Sequence, residues 1–383
     1  GNEVLGINLT AAMTFLLLIA GGLVTSTDSG LAVPDWPLSY GTLFPPMVGG
    51  ILYEHTHRLI AAVVGVMIAV LAGWLWLTES RRWVRGLGYG ALLAVLTQAI
   101  LGGLTVLLML PPAVSVAHAC LGQLVLCVVV SVALVTSPTW QTMQPIVAQP
   151  LGLGLCVLTT VTLIVQLLLG AVIRHAGYAV VPHVIGAIIV SVTVGWMCWR
   201  VTRDPRRFSP LFRVAMAMAI TLLLQTILGV CALFRPESVF FTTAHVAVGS
   251  LLLASSCVLT LMVGRGSVSR RAWLRRCADY LALTKPRLTM LALVSTGVGF
   301  LMGSFQSIDW MVLIHTLIGA ALVGAGASAL NQWAERDVDG LMRRTQSRPL
   351  PTGRLKPIEG LLFGLTTSGL GLVCLALFVN VFA

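Results

Sequence analysis

The chain has 383 residues, of which 57% are hydrophobic and only 10% charged, and its formal net charge is +11. Apolar runs of twenty or more residues recur along it, each long enough to cross a bilayer, which excludes an ordinary water-soluble domain. The positive charge is accounted for by cytoplasmic loops facing anionic lipid, so nothing in it calls for a nucleic-acid partner.

In chain order, hydropathy predicts eleven membrane-spanning helices, near 9–26, 52–79, 86–111, 113–137, 151–176, 179–202, 211–234, 238–263, 288–303, 311–333 and 360–382. Basic residues concentrate in alternate loops. Arg81, Arg82 and Arg85 follow the second span, and Arg200, Arg203, Arg206, Arg207 and Arg213 flank the sixth and seventh. Arg265, Arg270, Arg271, Arg275, Arg276, Lys285 and Arg287 precede the ninth, and Arg336, Arg343, Arg344, Arg348, Arg354 and Lys356 separate the tenth and eleventh. Only Arg58, Arg174 and Arg235 remain for the other side, which predicts a cytoplasmic N-terminus.

The eight cysteines lie in or beside spans, so no disulfide is expected, and no Cys-x-x-Cys-His is present to attach a haem covalently. The arginine-rich stretch 264–279 reads as a basic linker between an eight-span unit, 1–263, and a three-span unit, 280–383. A start at Gly1 and a stop inside an apolar run read as cuts.

Within the first unit, Ala117-His118-x-x-x-Gly122 returns as Ala244-His245-x-x-x-Gly249, and Gln98-x-Ile100-Leu101-Gly102 as Gln225-x-Ile227-Leu228-Gly229, at one constant offset. Spans 1–4 (residues 1–137) and 5–8 (residues 151–263) therefore form a repeat. The expected fold is an all-α polytopic membrane protein, two pseudo-symmetric four-helix transmembrane bundles plus three further transmembrane helices. His57 and His118 in one half correspond to His183 and His245 in the other, all near the outer starts of even-numbered spans. An imidazole inside an apolar span needs a partner or a metal, so the two pairs point to one haem iron per half. Read singly, each histidine is an interfacial residue; the register favours ligation. His55, His175 and His315 read as non-ligands, and Gln98/Gly102 and Gln225/Gly229 as helix-packing positions.

The halves differ at Glu54, three residues before His57, where the second half has Val180. A carboxylate beside one pair only suggests a reaction there and electron transfer at the other; a simple Glu54–Arg58 ion pair is the alternative. Gly21-Gly22-Leu-Val-Thr, the loop Ser29-Gly30-Leu31 to Asp35-Trp36-Pro37, Glu54-x-x-His57-Arg58 and the duplicated Ala-His-x-x-x-Gly together resemble the haem A synthase family over residues 1–263. Thr25 stands where many members have Arg, and the outer-loop cysteine pair of some members is missing.

The resemblance implies oxidation of the C8 methyl group of haem O to the formyl group of haem A with water-derived oxygen, in a bacterial cytoplasmic membrane. His57 and His118 would bracket the substrate haem, His183 and His245 would hold haem B, and Glu54 would manage charge or protons. Arg58 and Arg174 would meet propionates. The electron partner stays open, as do an oligomer and contacts with haem O synthase or oxidase assembly factors. A bis-histidine cytochrome b acting only in electron transfer, and a haem-free transporter or scaffold, are the competing classes.

In the second unit, Thr284-Lys285-Pro286-Arg287 and the string from Asn331 through Glu335 and Asp339 to Arg344 and Arg348 resemble haem O synthase, a protohaem farnesyltransferase of the intramembrane prenyltransferase group. Glu335 stands where many members have Asp. Asn331, Glu335 and Asp339 recur every fourth residue, which predicts one helical face offering oxygens to Mg²⁺, with Lys285, Arg344 and Arg348 for diphosphate. That group uses about nine spans and a second acidic motif, so this unit reads as an inactive remnant.

Overall fold

A computed structural model describes residues 2–142, 152–203, 210–267, 270–304 and 308–380 of the chain. Arg206, Arg207, residue 151 and the last residues of the eleventh expected span lie outside these. Among the described residues every regular element is a helix, apart from an isolated Ser39–Thr42 bridge. Uninterrupted apolar sequence dictates this outcome, because a backbone in hydrocarbon must satisfy its own N–H and C=O groups.

Eleven of the helices are long and apolar enough to span a membrane, in register with the eleven runs read from the sequence. The first eight are α1 (Asn2–Ser26), α2 (Gly50–Thr78), α3 (Arg82–Leu107), α4 (Pro112–Thr136), α6 (Leu153–Ala176), α7 (Val180–Thr202), α8 (Pro210–Phe234) and α9 (Val239–Ser267), with the short α5 (Pro138–Thr142) after α4. Local chemistry sets their ends. Pro112 opens α4, where its missing N–H costs nothing, and Gly177 closes α6 in the left-handed conformation at φ 77°.

The chain divides into two compact units, Gly1–Ser267 and Val268–Ala383. In the first, α1–α4 pack as a ring (α1 on α2, α2 on α3, α3 on α4, α4 on α1), and α6–α9 repeat the ring pair for pair. The halves meet through α1 on α9, α4 on α6 and α4 on α9, so the repeat is also a structural pseudo-twofold. Val64, Ile68, Ala91, Val125 and Val129 form the core of the first ring. The core of the second includes Met197, Met218, Leu252 and Leu259 and reaches Leu126 and Cys127 of α4. All eight cysteines are free.

The second unit comprises α10 (Arg270–Leu283), α11 (Pro286–Gly303), α12 (Trp310–Ala334), α13 (Arg336–Asp339) and α14 (Pro357–Phe378). The stretch 264–279, expected as a linker, is helical wherever it is described: α9 continues to Ser267 and α10 takes up at Arg270. Its Arg, Ala and Leu residues are good helix formers, and a polar composition alone does not unwind a helix. α12 and α14 approach closely at glycines. A Cβ on Gly326 would lie 2.7 Å from the Gly364 carbonyl, and one on Gly371 2.8 Å from the Gly319 carbonyl.

Candidate functional site

His57 is the eighth residue of α2, His118 the seventh of α4, His183 the fourth of α7 and His245 the seventh of α9. Each ring lies against a glycine of the preceding long helix. A Cβ added to Gly21, Gly102 or Gly170 would come within 3.1 Å of Cε1 of His57, His118 or His183, and one on Gly229 within 2.8 Å of Cε1 of His245. The absent side chain is what lets each imidazole bring its Cε1 edge up to the neighbouring backbone.

Four residues before each glycine, one turn of helix away, a carbonyl acts on the same ring: Leu17 on His57, Gln98 on His118, Gln166 on His183 and Gln225 on His245. Nδ1 of His245 lies 3.2 Å from the Gln225 oxygen. Nδ1 of His57, His118 and His183 is buried without a well-formed hydrogen bond. The repeating unit is thus a two-helix hairpin, used four times. Gly21, Gly170 and Gln166 belong to it although their role was not drawn from the sequence; Gln166-x-Leu-Leu-Gly170 parallels Gln98-x-Ile-Leu-Gly102 and was the available signal.

These residues fit an iron held between two imidazoles. The ring centroids of His183 and His245 are 6.3 Å apart with planes at 68°. Two metal–nitrogen bonds of about 2 Å plus about 1 Å from each nitrogen to its ring centre require roughly 6 Å. A ring that turns Nδ1 to a backbone carbonyl, as His245 does, carries its proton there and leaves the other nitrogen for a ligand.

Glu54 and Arg58 are one turn apart on α2, and both are turned toward loop 27–49. Glu54 accepts the Val33 N–H at 2.8 Å and pairs with Arg58 at 2.5 Å. Arg58, expected to meet propionates, instead donates to the carbonyls of Asp35 at 2.7 Å, Leu38 at 2.6 Å and Val33 at 3.3 Å. A loop rich in turns leaves carbonyls without helical partners, and a five-donor guanidinium satisfies several at once. Ser39 Oγ and His55 Nδ1 are 2.8 Å apart, giving buried His55 a use other than ligation. Trp36 covers Gly103, where an added Cβ would stand 2.9 Å from the indole. The loop therefore closes over α3 beside the glycine that seats His118.

Asp35 accepts the N–H groups of Tyr40 at 2.6 Å and Gly41 at 2.7 Å. The Gly41 and Tyr40 N–H bonds, with the Arg58 charge adding a little, hold its carboxyl below the usual range. A depressed carboxylate stabilises the loop above its unfolded pKa, and that contribution disappears as pH falls through the folded value. Trp36 fluorescence should therefore stay constant down to about pH 4 and change below it, and Asp35→Asn should abolish the transition.

Arg174, at the end of α6, donates to Ser26 Oγ at 2.8 Å, and the same hydroxyl meets Thr242 at 2.8 Å and Thr243 at 3.0 Å. This polar knot ties α1 to α6 and α9 across the two halves. His175 follows it, half-buried.

In the second unit Asn331 and Glu335 share a face at the end of α12, and Asp339 follows one turn later. α12 ends at Ala334, Glu335 lies between helices at φ −88°, ψ 1°, and Asp339 closes α13. Asn331 Nδ2 donates to Glu335 Oε2 at 2.8 Å, while buried Asp339 pairs with Arg348 at 2.5 Å. The four-residue backbone bonds continue through this point, from the Glu335 N–H to Asn331 at 2.9 Å and from the Asp339 N–H to Glu335 at 2.8 Å. Among the described residues no group of three or more His, Cys, Asp or Glu is arranged to hold a metal ion, and the Glu335 and Asp339 carboxylates each have a protein partner. Arg344 is exposed and Lys285 half-exposed, with Lys285 at φ 45° just before α11. His315 accepts no ligand role either: it bonds the Met311 carbonyl at 2.7 Å and stacks on Phe378.

Residues 7–183 match the COX15-CtaA family of cytochrome oxidase assembly proteins, and residues 292–383 match the UbiA prenyltransferase family. Protoheme IX farnesyltransferase of Solibacter usitatus is 47% identical over 111 residues, covering 27% of this chain and 38% of that protein. Protoheme IX farnesyltransferase 1 of Pseudomonas putida W619 is 40% identical over 114 residues, 30% of this chain and 37% of its own length. The corresponding protein of Trichodesmium erythraeum is 38% identical over 105 residues, 27% of this chain and 32% of its own. This chain spans less than half the length of these curated relatives. One polypeptide thus carries a segment similar to the COX15-CtaA cytochrome oxidase assembly protein family followed by a segment similar to the UbiA prenyltransferase family.

Proposed function

We propose that the first unit converts haem O to haem A, oxidising the C8 methyl to a formyl group with oxygen from water. The observation that carries this reading is the fourfold seating of histidine on glycine, with His183 and His245 already at the spacing for one iron. His183 and His245 hold a resident haem B, which supplies one-electron redox chemistry when bound. His57 and His118 hold the substrate haem, and the Glu54–Arg58 pair keeps loop 27–49 closed over that end. Arg174 lies at the junction of the halves, where a guanidinium suits a propionate. The distribution of basic residues supports a bacterial cytoplasmic membrane with the N-terminus inside and the histidines near the outer leaflet. Electrons leave to a partner outside this chain, whether an oxidase assembly factor or another carrier.

For the second unit we infer ancestry with protohaem farnesyl transfer rather than that activity in this chain. Asn331 is bonded to Glu335, Arg348 is committed to Asp339, and no Mg²⁺-dependent step is derived.

A second reading, a bis-histidine cytochrome b that only carries electrons, is favoured by the use of Glu54 as a loop anchor, since the asymmetric carboxylate then needs no chemical role. Haem extraction and mass analysis of the purified chain, before and after loading with haem O, separates the two. Haem B together with hydroxylated or formyl products supports the synthase; haem B alone, with haem O recovered unchanged, leaves the carrier.

A further inference from the structure

A narrow cleft of about 230 Å³ lies beside the His57 seat, between the ends of α1 and α2 that loop 27–49 joins. Ala20 and Leu23 of α1 and Leu52, Tyr53 and Thr56 of α2 line it, without a charged group among them. Ala20 precedes Gly21, against which His57 rests, and Thr56 precedes His57 itself. The cleft is on the bilayer side of that seat. Leu23 falls on the exposed stripe of Leu9 and Leu16, at a spacing of seven residues, and Leu52 begins the exposed stripe that Leu59 and Val63 continue. Exposed apolar stripes of spanning helices face lipid.

The second half carries a larger side chain at the corresponding place. Counted from the glycines that seat His57 and His183, Leu169 stands where the first half has Ala20, and Val172 where it has Leu23. Leu169 and Val172 are buried, at 5% and 0% exposure. Leu169 Cδ1 would lie 3.5 Å from a Cβ on Gly186 of α7, so its side chain occupies the space between α6 and α7.

We propose that the cleft between α1 and α2 takes the isoprenoid tail of the substrate haem, and that Ala20 against Leu169 directs a tailed haem to the first half and a tail-less one to the second. The inference rests on the haem O reading of the first pair. Haem O differs from haem B in carrying a farnesyl-derived chain. The cleft is smaller than the roughly 300–1,000 Å³ of ordinary small-molecule pockets, too small for a tetrapyrrole, and suits a thin chain whose far end lies in lipid. Because lipid is as apolar as the cleft, burial there adds little affinity. Discrimination comes from whether there is room for the chain beside the imidazole.

The test loads the purified full-length protein, carrying its resident haem B, with haem O or with further haem B. Dissociation constants for the first pair are read from the Soret change, with His57→Ala as the blank for nonspecific uptake. Ala20→Leu, and Thr56→Leu on the opposite wall, are expected to weaken haem O binding roughly tenfold, the cost of overpacking, while haem B, which sends no chain into the cleft, binds as in wild type. An unchanged spectrum of the resident haem shows that the fold is intact. Equal weakening of the two haems in both variants, or unweakened haem O binding in both, overturns the proposal and leaves the cleft to a lipid chain, with the haem reading of the first pair still standing. A wild-type first pair that binds neither haem removes that reading, and this inference with it.

Discussion

Gly229→Ala is expected to lower the affinity of the second histidine pair for haem roughly 10- to 100-fold, the range typical of losing a group that orients a metal ligand. Of the four seats this is the tightest, with the added methyl only 2.8 Å from His245 Cε1 and 3.2 Å from Nδ1. Real Cβ atoms do not approach so closely, so the ring must rotate or the helices must part. Rotation breaks the contact of Nδ1 with the Gln225 carbonyl and disturbs the 6.3 Å spacing of the His183 and His245 rings. Parting the helices costs about 1–3 kcal/mol of overpacking, which an eight-helix bundle tolerates, so the protein should still insert and purify. Iron and haem per chain, measured after detergent extraction, should approach the value for His245→Ala. A full haem complement with unchanged low-spin signals in Gly229→Ala would refute the seat.

Glu54→Ala should destabilise the first half by about 3–5 kcal/mol, the usual consequence of leaving one member of a buried ion pair alone. The Glu54 and Arg58 side chains are 4% and 14% exposed, and the substitution also strands the Val33 N–H. Loop 27–49 should become sensitive to protease while the second histidine pair keeps its haem. Glu54→Gln discriminates structure from chemistry, since a glutamine still accepts from Val33 but carries no charge. A loop that remains protected while haem oxidation is lost assigns a chemical role to the carboxylate. Retained oxidation with a protected loop reduces Glu54 to an anchor.

Much of this arrangement is legible in the sequence because it follows from local rules. Hydropathy finds all eleven spans, and the offset from His118 to His245 finds the repeat. The smaller repeat escapes for a definite reason. Loop 27–49 lengthens the first hairpin where α6 and α7 are joined by residues 177–179 alone, so Leu17 and Gly21 fall out of the register that aligns His57 with His183. Gln98 and Gly102 are recognisable as packing positions, but spacing along one helix does not reveal that the surface packed against them is an imidazole. Arg58 illustrates the same limit: a basic residue beside a histidine suggests an anionic ligand, whereas the folded loop supplies three carbonyl oxygens. In the second unit the four-residue spacing of Asn331, Glu335 and Asp339 brings the first two into contact, but spacing alone does not reveal that Asp339 is paired with Arg348.

A hairpin that presents one imidazole on one glycine has half of what iron requires. A primitive chain made of a single such hairpin would have had to meet its own copy to capture a haem, and a first tandem duplication would have freed the site from dependence on concentration. A second duplication, giving the four hairpins seen here, produced a spare site. The spare was then free to change, as the Glu54 of one half beside the Val180 of the other shows, without endangering its twin.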